Sequence, residues 1–432
     1  MSGLREAFPE IARYSMSETR LSRLTIAAVT TVVLGGALLT MDSAAGESGK
    51  LLYSTALVLE GLFLLVYGTV RATGSVLNER VERTWEIQRL TPLSSFEMAV
   101  GKLLGAPILA YYLAILMLPW VVTGFLLSDQ TTLLDFCWHQ ALLVSAAFFA
   151  ISLGLLTSSH AGEATSGSSA GTGGGLVGFF ALQVLLQFLF DRHPGGPGLR
   201  FFGVEWDPKA FVVFSCVAFG LWAFAGAKWR IGKELLERGR PWRLPAFMGF
   251  LVLYQTGFPN SNIYYSAVAP AFFAFFSAVL SRESRDHWKR WLTGGDNRGG
   301  LTPAWITAAA SYAGLAVIVV VFGKTSGWNA EGPEWRYPLM QACFLFRDFA
   351  FLQFCRFTAS RRPEVMALIF IALMYALPTA VLASFGMKGA FYLCVPYVDP
   401  GSGAFLNILP AALQAVAMAV LLRSTVRKQF GI

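Results

Sequence analysis

The sequence predicts an all-α polytopic membrane protein with about twelve transmembrane helices, arranged as two pseudo-repeated six-helix halves. Three observations lead there. The 432 residues are 55% hydrophobic and only 14% charged, where a soluble chain carries nearer a quarter charged. Several apolar runs approach or exceed the roughly 18 residues that cross a bilayer. In each half a long charged loop follows the second run, and four further runs follow that loop.

Residues 1–23 are a polar lead-in with scattered apolar positions (Leu4, Phe8, Ile11, Tyr14), which fits an interfacial helix. Nothing in this stretch reads as a cleaved signal peptide. The first half then offers spans at 24–41, 51–70, 103–127, 133–156, 176–190 and 210–227. A Gly/Ser/Thr/Ala-rich stretch, 157–175, reads as a flexible connection. A basic connector, 228–243, divides the chain into halves 1–240 and 241–432. The second half offers runs at 244–258, 263–280, 303–322, 337–355, 365–385 and 404–422. Loops 191–209 and 386–403 occupy equivalent places, and both mix Gly and Pro with aromatic residues. Trp85 and Trp288 hold similar places in the two charged loops. With both termini inside, the cytoplasmic segments hold 26 of the 34 lysines and arginines, the bias that the positive-inside rule requires. The run 244–258 must cross for that parity to hold. The excess of base, a formal charge of +8, is thereby assigned to cytoplasmic loops and not to nucleic-acid binding.

The stretch 71–102, RATGSVLNERVERTWEIQRLTPLSSFEMAVGK, organises the rest. Leu77, Val81 and Trp85 fall at i, i+4 and i+8 and would share one face of a helix. Glu79 with Arg83 (i,i+4) and Glu86 with Arg89 (i,i+3) are favourable pairs. Pro92 forces Thr91 out of helical geometry and stops the helix. Ser94 to Glu97 then forms a capping box, with Leu93 and Met98 as the hydrophobic staple of the next helix.

At these residues the chain resembles the type-2 class of ATP-binding-cassette (ABC) exporter permeases. The pattern NERVERTWEIQRLTPLSSFEMAVGKLLGA, 78–106, is similar to their segment between second and third spans. The matching positions are Glu79, Glu82, Arg83, Thr84, Glu86, Leu90, Thr91, Pro92, Leu93, Ser94, Glu97, Gly101 and Lys102. By order of spans the likeness extends loosely over residues 1–230. The resemblance implies that this segment is the cytoplasmic coupling helix, with Glu79, Glu82, Arg83, Trp85, Glu86, Thr91, Pro92 and Glu97 in the coupling machinery. It implies a separate cytoplasmic ABC ATPase, acting as a dimer and carrying ATP and magnesium. This chain would then hold no cofactor, sit in a bacterial cytoplasmic membrane and pass an unknown substrate between its halves. It also implies short re-entrant helices at 191–209 and 386–403. The second charged loop lacks Thr-Pro-Leu-Ser, so under 282–293 docking would be weaker or coupling lost.

No catalytic or metal-binding constellation is visible. The four histidines and five cysteines are dispersed, without CxxC or HExxH spacing. The stretch AGESGKL, 45–51, lacks the first glycine and the terminal Ser/Thr of a phosphate loop and reads as a turn. Ionisable residues inside apolar runs are costly and hence candidates for function. They are Glu60, Asp135, His139, Arg347 and Asp348. Asp135 and His139 are spaced to bond with each other. Arg347 and Asp348 are adjacent, so a helix points them about 100° apart and each would need its own partner. Glu60 would bind a cation, pair with Arg347, or bond to neighbouring hydroxyls. Two other readings stay open: a scaffold subunit that moves nothing, and an ion-coupled twelve-span carrier in which these charges titrate.

Overall fold

The computed structural model describes residues 9–18, 20–45, 49–128, 131–160, 178–179, 181–183, 199–235, 237, 242–259, 261–280, 288–289, 291, 302–326, 333–358 and 363–430. The described chain is helical apart from one short hairpin, β1 (Leu199–Phe201) with β2 (Val204–Trp206). It divides into two compact units: Met1–Leu199 with Glu205–Gly239, and Arg200–Val204 with Arg240–Ile432.

The first unit opens with α1 (Pro9–Glu18) and α2 (Leu21–Ala45). Asp42, near the end of α2, accepts the backbone N–H groups of Gly49 (2.7 Å) and Leu51 (3.0 Å). It thereby satisfies donors that a helix start leaves open, and the chain turns straight into α3 (Lys50–Val81). That helix widens to a π turn over Leu62–Tyr67, next to Glu60. Next come α4 (Thr84–Arg89), α5 (Ser95–Gly105), α6 (Ile108–Leu127), α7 (Leu133–His160) and α8 (Pro208–Glu234). Asp207 caps α8 by accepting from the Lys209 N–H, and Pro208 occupies the first turn, where its missing donor costs nothing. The core gathers Leu57, Leu65, Val76, Trp85, Met98, Leu142 and Ile151 from α3, α4, α5 and α7.

The second unit contains α9 (Arg243–Thr256), α10 (Val268–Leu280), α11 (Ala304–Ser326), α12 (Arg336–Phe357), α13 (Pro363–Ser384) and α14 (Ala404–Phe430). Its core joins Tyr264, Ala274, Trp305, Tyr312, Val319 and Phe349. Trp288 is buried there and stacks on Trp305, with centroids 5.9 Å apart.

Eight described helices are long and apolar enough to cross a bilayer: α2, α3, α6, α7, α8, α11, α13 and α14. Their outward faces are rich in exposed Val, Leu, Ile and Phe, as lipid contact demands. The chain is an all-α, multi-pass membrane protein. Prolines inside α6, α13 and α14 (Pro119, Pro378, Pro410) fit that setting, because neighbouring helices re-satisfy the freed carbonyls.

Several expectations need correction or lie elsewhere. Helices α9 and α10 have 14 and 13 residues, about 20 Å each against a core of about 30 Å. Neither reaches across alone, and the two pack against each other as a hairpin. Helix α12 is long enough but carries Arg347 and Asp348 in its middle. The fifth run, 176–190, lies largely outside the described residues, as do most of 157–175 and of 281–301. Of the two loops expected to hold re-entrant helices, the second contains a short 3-10 helix, Lys388–Leu393. The first carries the β1–β2 hairpin instead, and its residues 191–198 lie outside the described ones.

Candidate functional site

The segment 71–102 does not form one amphipathic helix followed by a corner. Its first part is the end of α3, which stops at Val81. Arg83 then takes a left-handed backbone, φ 59°, and α4 starts at Thr84. This break is unusual for a residue with a side chain, and it separates the face expected to unite Leu77, Val81 and Trp85. Leu77 and Trp85 are buried, whereas Val81 is exposed. The corner at Leu90–Leu93 stands where Pro92 places it, since α4 ends at Arg89 and α5 starts at Ser95. The capping box is formed as read: the Ser94 side chain accepts from the Glu97 N–H, and the Glu97 carboxylate accepts from the Ser94 N–H at 2.8 Å. Those bonds hold the Glu97 carboxyl below the ordinary glutamate range.

Glu79 turns inward, away from Arg83. Its carboxylate receives Arg13 from α1, Lys102 from α5 and the Tyr14 hydroxyl at 3.0 Å. Arg13 is also bonded to Glu10 at 2.8 Å, and Lys102 reaches Gln88 of α4 at 3.3 Å. Lys102 is fully buried, and burial pushes its ammonium below the ordinary lysine value against the pull of Glu79 and Glu10. The Lys102 ammonium also stands 5.3 Å from the centre of the Trp85 ring, within cation–π range. One ion cluster therefore ties α1, the end of α3, α4 and α5 together.

Glycine makes the approach of α1 possible. A Cβ added at Gly101 would lie 2.3 Å from the Cβ of Glu10, and one at Gly105 would lie 2.8 Å from the Tyr14 ring. The two glycines and the two residues they admit share the same i,i+4 spacing, so the helices meet ridge against trough.

A second clamp comes from the end of α8. The Glu234 carboxylate accepts from the Trp85 indole N–H (2.8 Å) and from Arg80 (2.5 Å). The Glu237 carboxylate accepts from the Ser95 backbone N–H (3.1 Å) and hydroxyl (2.8 Å). Arg89 bonds to the Glu234 carbonyl oxygen at 3.0 Å and to Glu86 at 3.2 Å.

Held from both sides, the segment presents an outer face. Glu82, Arg83, Glu86, Thr91 and Pro92 are exposed on it. So are Ile87 (66%), Leu90 (86%) and Phe96 (47%), a large apolar offering for a surface that also carries two acids, Glu82 and the Arg89-paired Glu86. Glu79 and Trp85 belong to the clamp beneath, so they position this face and do not form it. The sequence reading missed Glu10, Arg13, Tyr14, Gln88, Ser95, Glu234 and Glu237. The one local signal for them was Gly101-Lys102, a tight-packing residue beside a cation.

The intramembrane candidates form two further groups. In the first unit, Glu60 accepts from the Gln140 amide at 3.0 Å. His139 shares a 2.7 Å hydrogen bond with the Tyr53 hydroxyl and not with Asp135. Asp135 instead sits in the first turn of its helix, where its carboxylate accepts from the Thr132 hydroxyl at 2.7 Å and that hydroxyl caps the helix by accepting the Asp135 N–H at 3.2 Å; the carboxylate also takes Lys209 at 3.2 Å. In the second unit, Arg347 and Asp348 do bond to each other, through Nε at 2.9 Å. An arginine stem is long enough to fold back across the 100° between neighbours, and a low-dielectric site rewards that closure. Arg347 also donates to the Gln414 amide oxygen (2.6 Å), and the Tyr375 hydroxyl donates to Asp348 (2.7 Å). Gln414 donates in turn to the Leu393 carbonyl (2.7 Å), which joins the 3-10 segment to α14. Among the described residues, no group of His, Cys, Asp and Glu is placed to hold a metal ion.

Searches against protein-family models, curated proteins and solved structures return no match to the chain.

Proposed function

We propose that the chain is the membrane-spanning permease subunit of an ABC exporter. It would have two halves, 1–240 and 241–432, the first crossing the membrane six times and the second four times beside the short α9–α10 hairpin, with both termini in the bacterial cytoplasm. A separate ABC ATPase dimer, carrying ATP and magnesium, would dock on the face of α4 and the corner after it. The observation that carries this reading is the exposed face of Glu82, Glu86, Ile87 and Leu90 standing on a buried ion cluster. Lys102, buried and paired with Glu79, fixes the exposed loop above it in one geometry, and a fixed exposed face suits docking. The likeness of 78–106 to the family's coupling segment supports it, and so does the excess of base in the segments on the same side as α4.

The mechanism follows from stiffness. Glu82 and Glu86 would bond basic groups of the ATPase, and Ile87, Leu90 and Phe96 would seat in an apolar cleft. Closure of the ATPase on ATP would push α4. The Glu79–Lys102 and Glu234–Trp85 contacts leave α4 little freedom to yield, so the push passes to α3, α5 and α8, which carry it into the membrane.

Reversing Glu82 and Glu86 to Arg tests this. Both side chains are exposed, so the membrane part should fold as before while ATPase binding and ATP-driven transport are lost. Unchanged binding and transport in E82R/E86R would sink the proposal.

A further inference from the structure

The second unit carries an apolar groove of about 630 Å3 that none of the reading above uses. Ala342, Cys343 and Phe346 of α12 form its floor, with α11 and α14 as its walls. Those walls are built from small residues, among them Ala309 and Ala313 on one side and Ala415 and Ala419 on the other. The volume lies in the range of ligand pockets, and the lining is apolar until the groove reaches Arg423.

Length and charge identify the occupant. On α14 the groove runs from Ala412 to Arg423, which is about 16 Å of helix. That is about half of the roughly 30 Å hydrocarbon core, so the groove serves one leaflet. A partner helix would instead seek a seam across the whole core. At the groove's end Arg423 is followed at i+4 by Arg427 and then by Lys428, all exposed and none in an ion pair among the described residues. Unpaired bases at the end of a membrane helix attract anionic headgroups.

We propose that the groove holds one acyl chain of an anionic phospholipid, from the leaflet at the C-terminal end of α14, with the lipid phosphate on Arg423 and Arg427. The site stands whether or not the chain couples to an ATPase.

The full chain in nanodiscs of equal phosphatidylglycerol and phosphatidylcholine, followed by native mass spectrometry, tests this. The expected result is one retained phosphatidylglycerol per chain. R423Q should lower its preference over phosphatidylcholine by about five-fold, the share of one base near an anionic surface. A419F, placed in the open groove, should remove the retained lipid of either kind. Thermal unfolding in detergent confirms that both variants are folded. Retention that is equal for the two lipids, or unaffected by both variants, overturns the proposal. So does a dimer of this chain that A419F converts to monomer, which would assign the groove to helix packing.

Discussion

Lys102 is the residue on which the segment 71–102 depends. It is fully buried, bonded to Glu79 and Gln88, and set against the ring of Trp85. Removing one partner of a buried ion pair leaves an uncompensated charge and typically costs about 3–5 kcal/mol. Glu79 keeps Arg13 and the Tyr14 hydroxyl, so Lys102→Met should destabilise the first unit by less than that full amount. The double variant K102M/E79Q should recover a large part of the loss, as thermal unfolding of the two proteins side by side would show. A double variant no more stable than K102M would mean that the pair contributes nothing to holding α4. Little of this was legible in advance. Glu79 had a favourable i+4 partner in Arg83, and local pairing rules gave no sign that Arg13, 66 residues away, would take its place. The Arg347–Asp348 bond was missed for a related reason. Backbone direction separates neighbours on a helix, but a long arginine stem does not follow backbone direction.

Two elements set the geometry of the segment, α1 and α5. The capping box at Ser94 and Glu97 was readable from four residues because it satisfies local donors by local acceptors. Ser94→Ala should cost about 1 kcal/mol, visible as faster amide exchange in the first turn of α5 without loss of the fold. The packing of α1 was not readable, since it depends on the absence of side chains at Gly101 and Gly105. Gly101→Leu would put its side chain where Glu10 stands. It should release α1, raise hydrogen exchange across Pro9–Glu18 and leave α3 and α7 protected. Unchanged protection of α1 in that variant would contradict the close approach. The break at Arg83 also escaped the pattern, because a left-handed residue usually announces itself as glycine or asparagine.

For the whole molecule, the apolar runs were legible because lipid imposes long, uninterrupted helices, and eight described helices satisfy that demand. The second half reads less cleanly. Helices α9 and α10 are too short to cross singly, and the sequence alone already made α9 the weak point of the topology. Function was the least legible level, since the sequence shows no catalytic or metal-binding spacing. The proposal of a partner that supplies the energy rests on the pattern at 78–106 and on the anchored outer face of α4.

The most direct measurement is therefore to purify the tagged chain from native membranes in mild detergent and identify what accompanies it. The account predicts a stoichiometric partner bearing a nucleotide-binding phosphate loop, retained by the native chain and lost from E82R/E86R. A chain that comes alone, or whose partner has no nucleotide site, would contradict it.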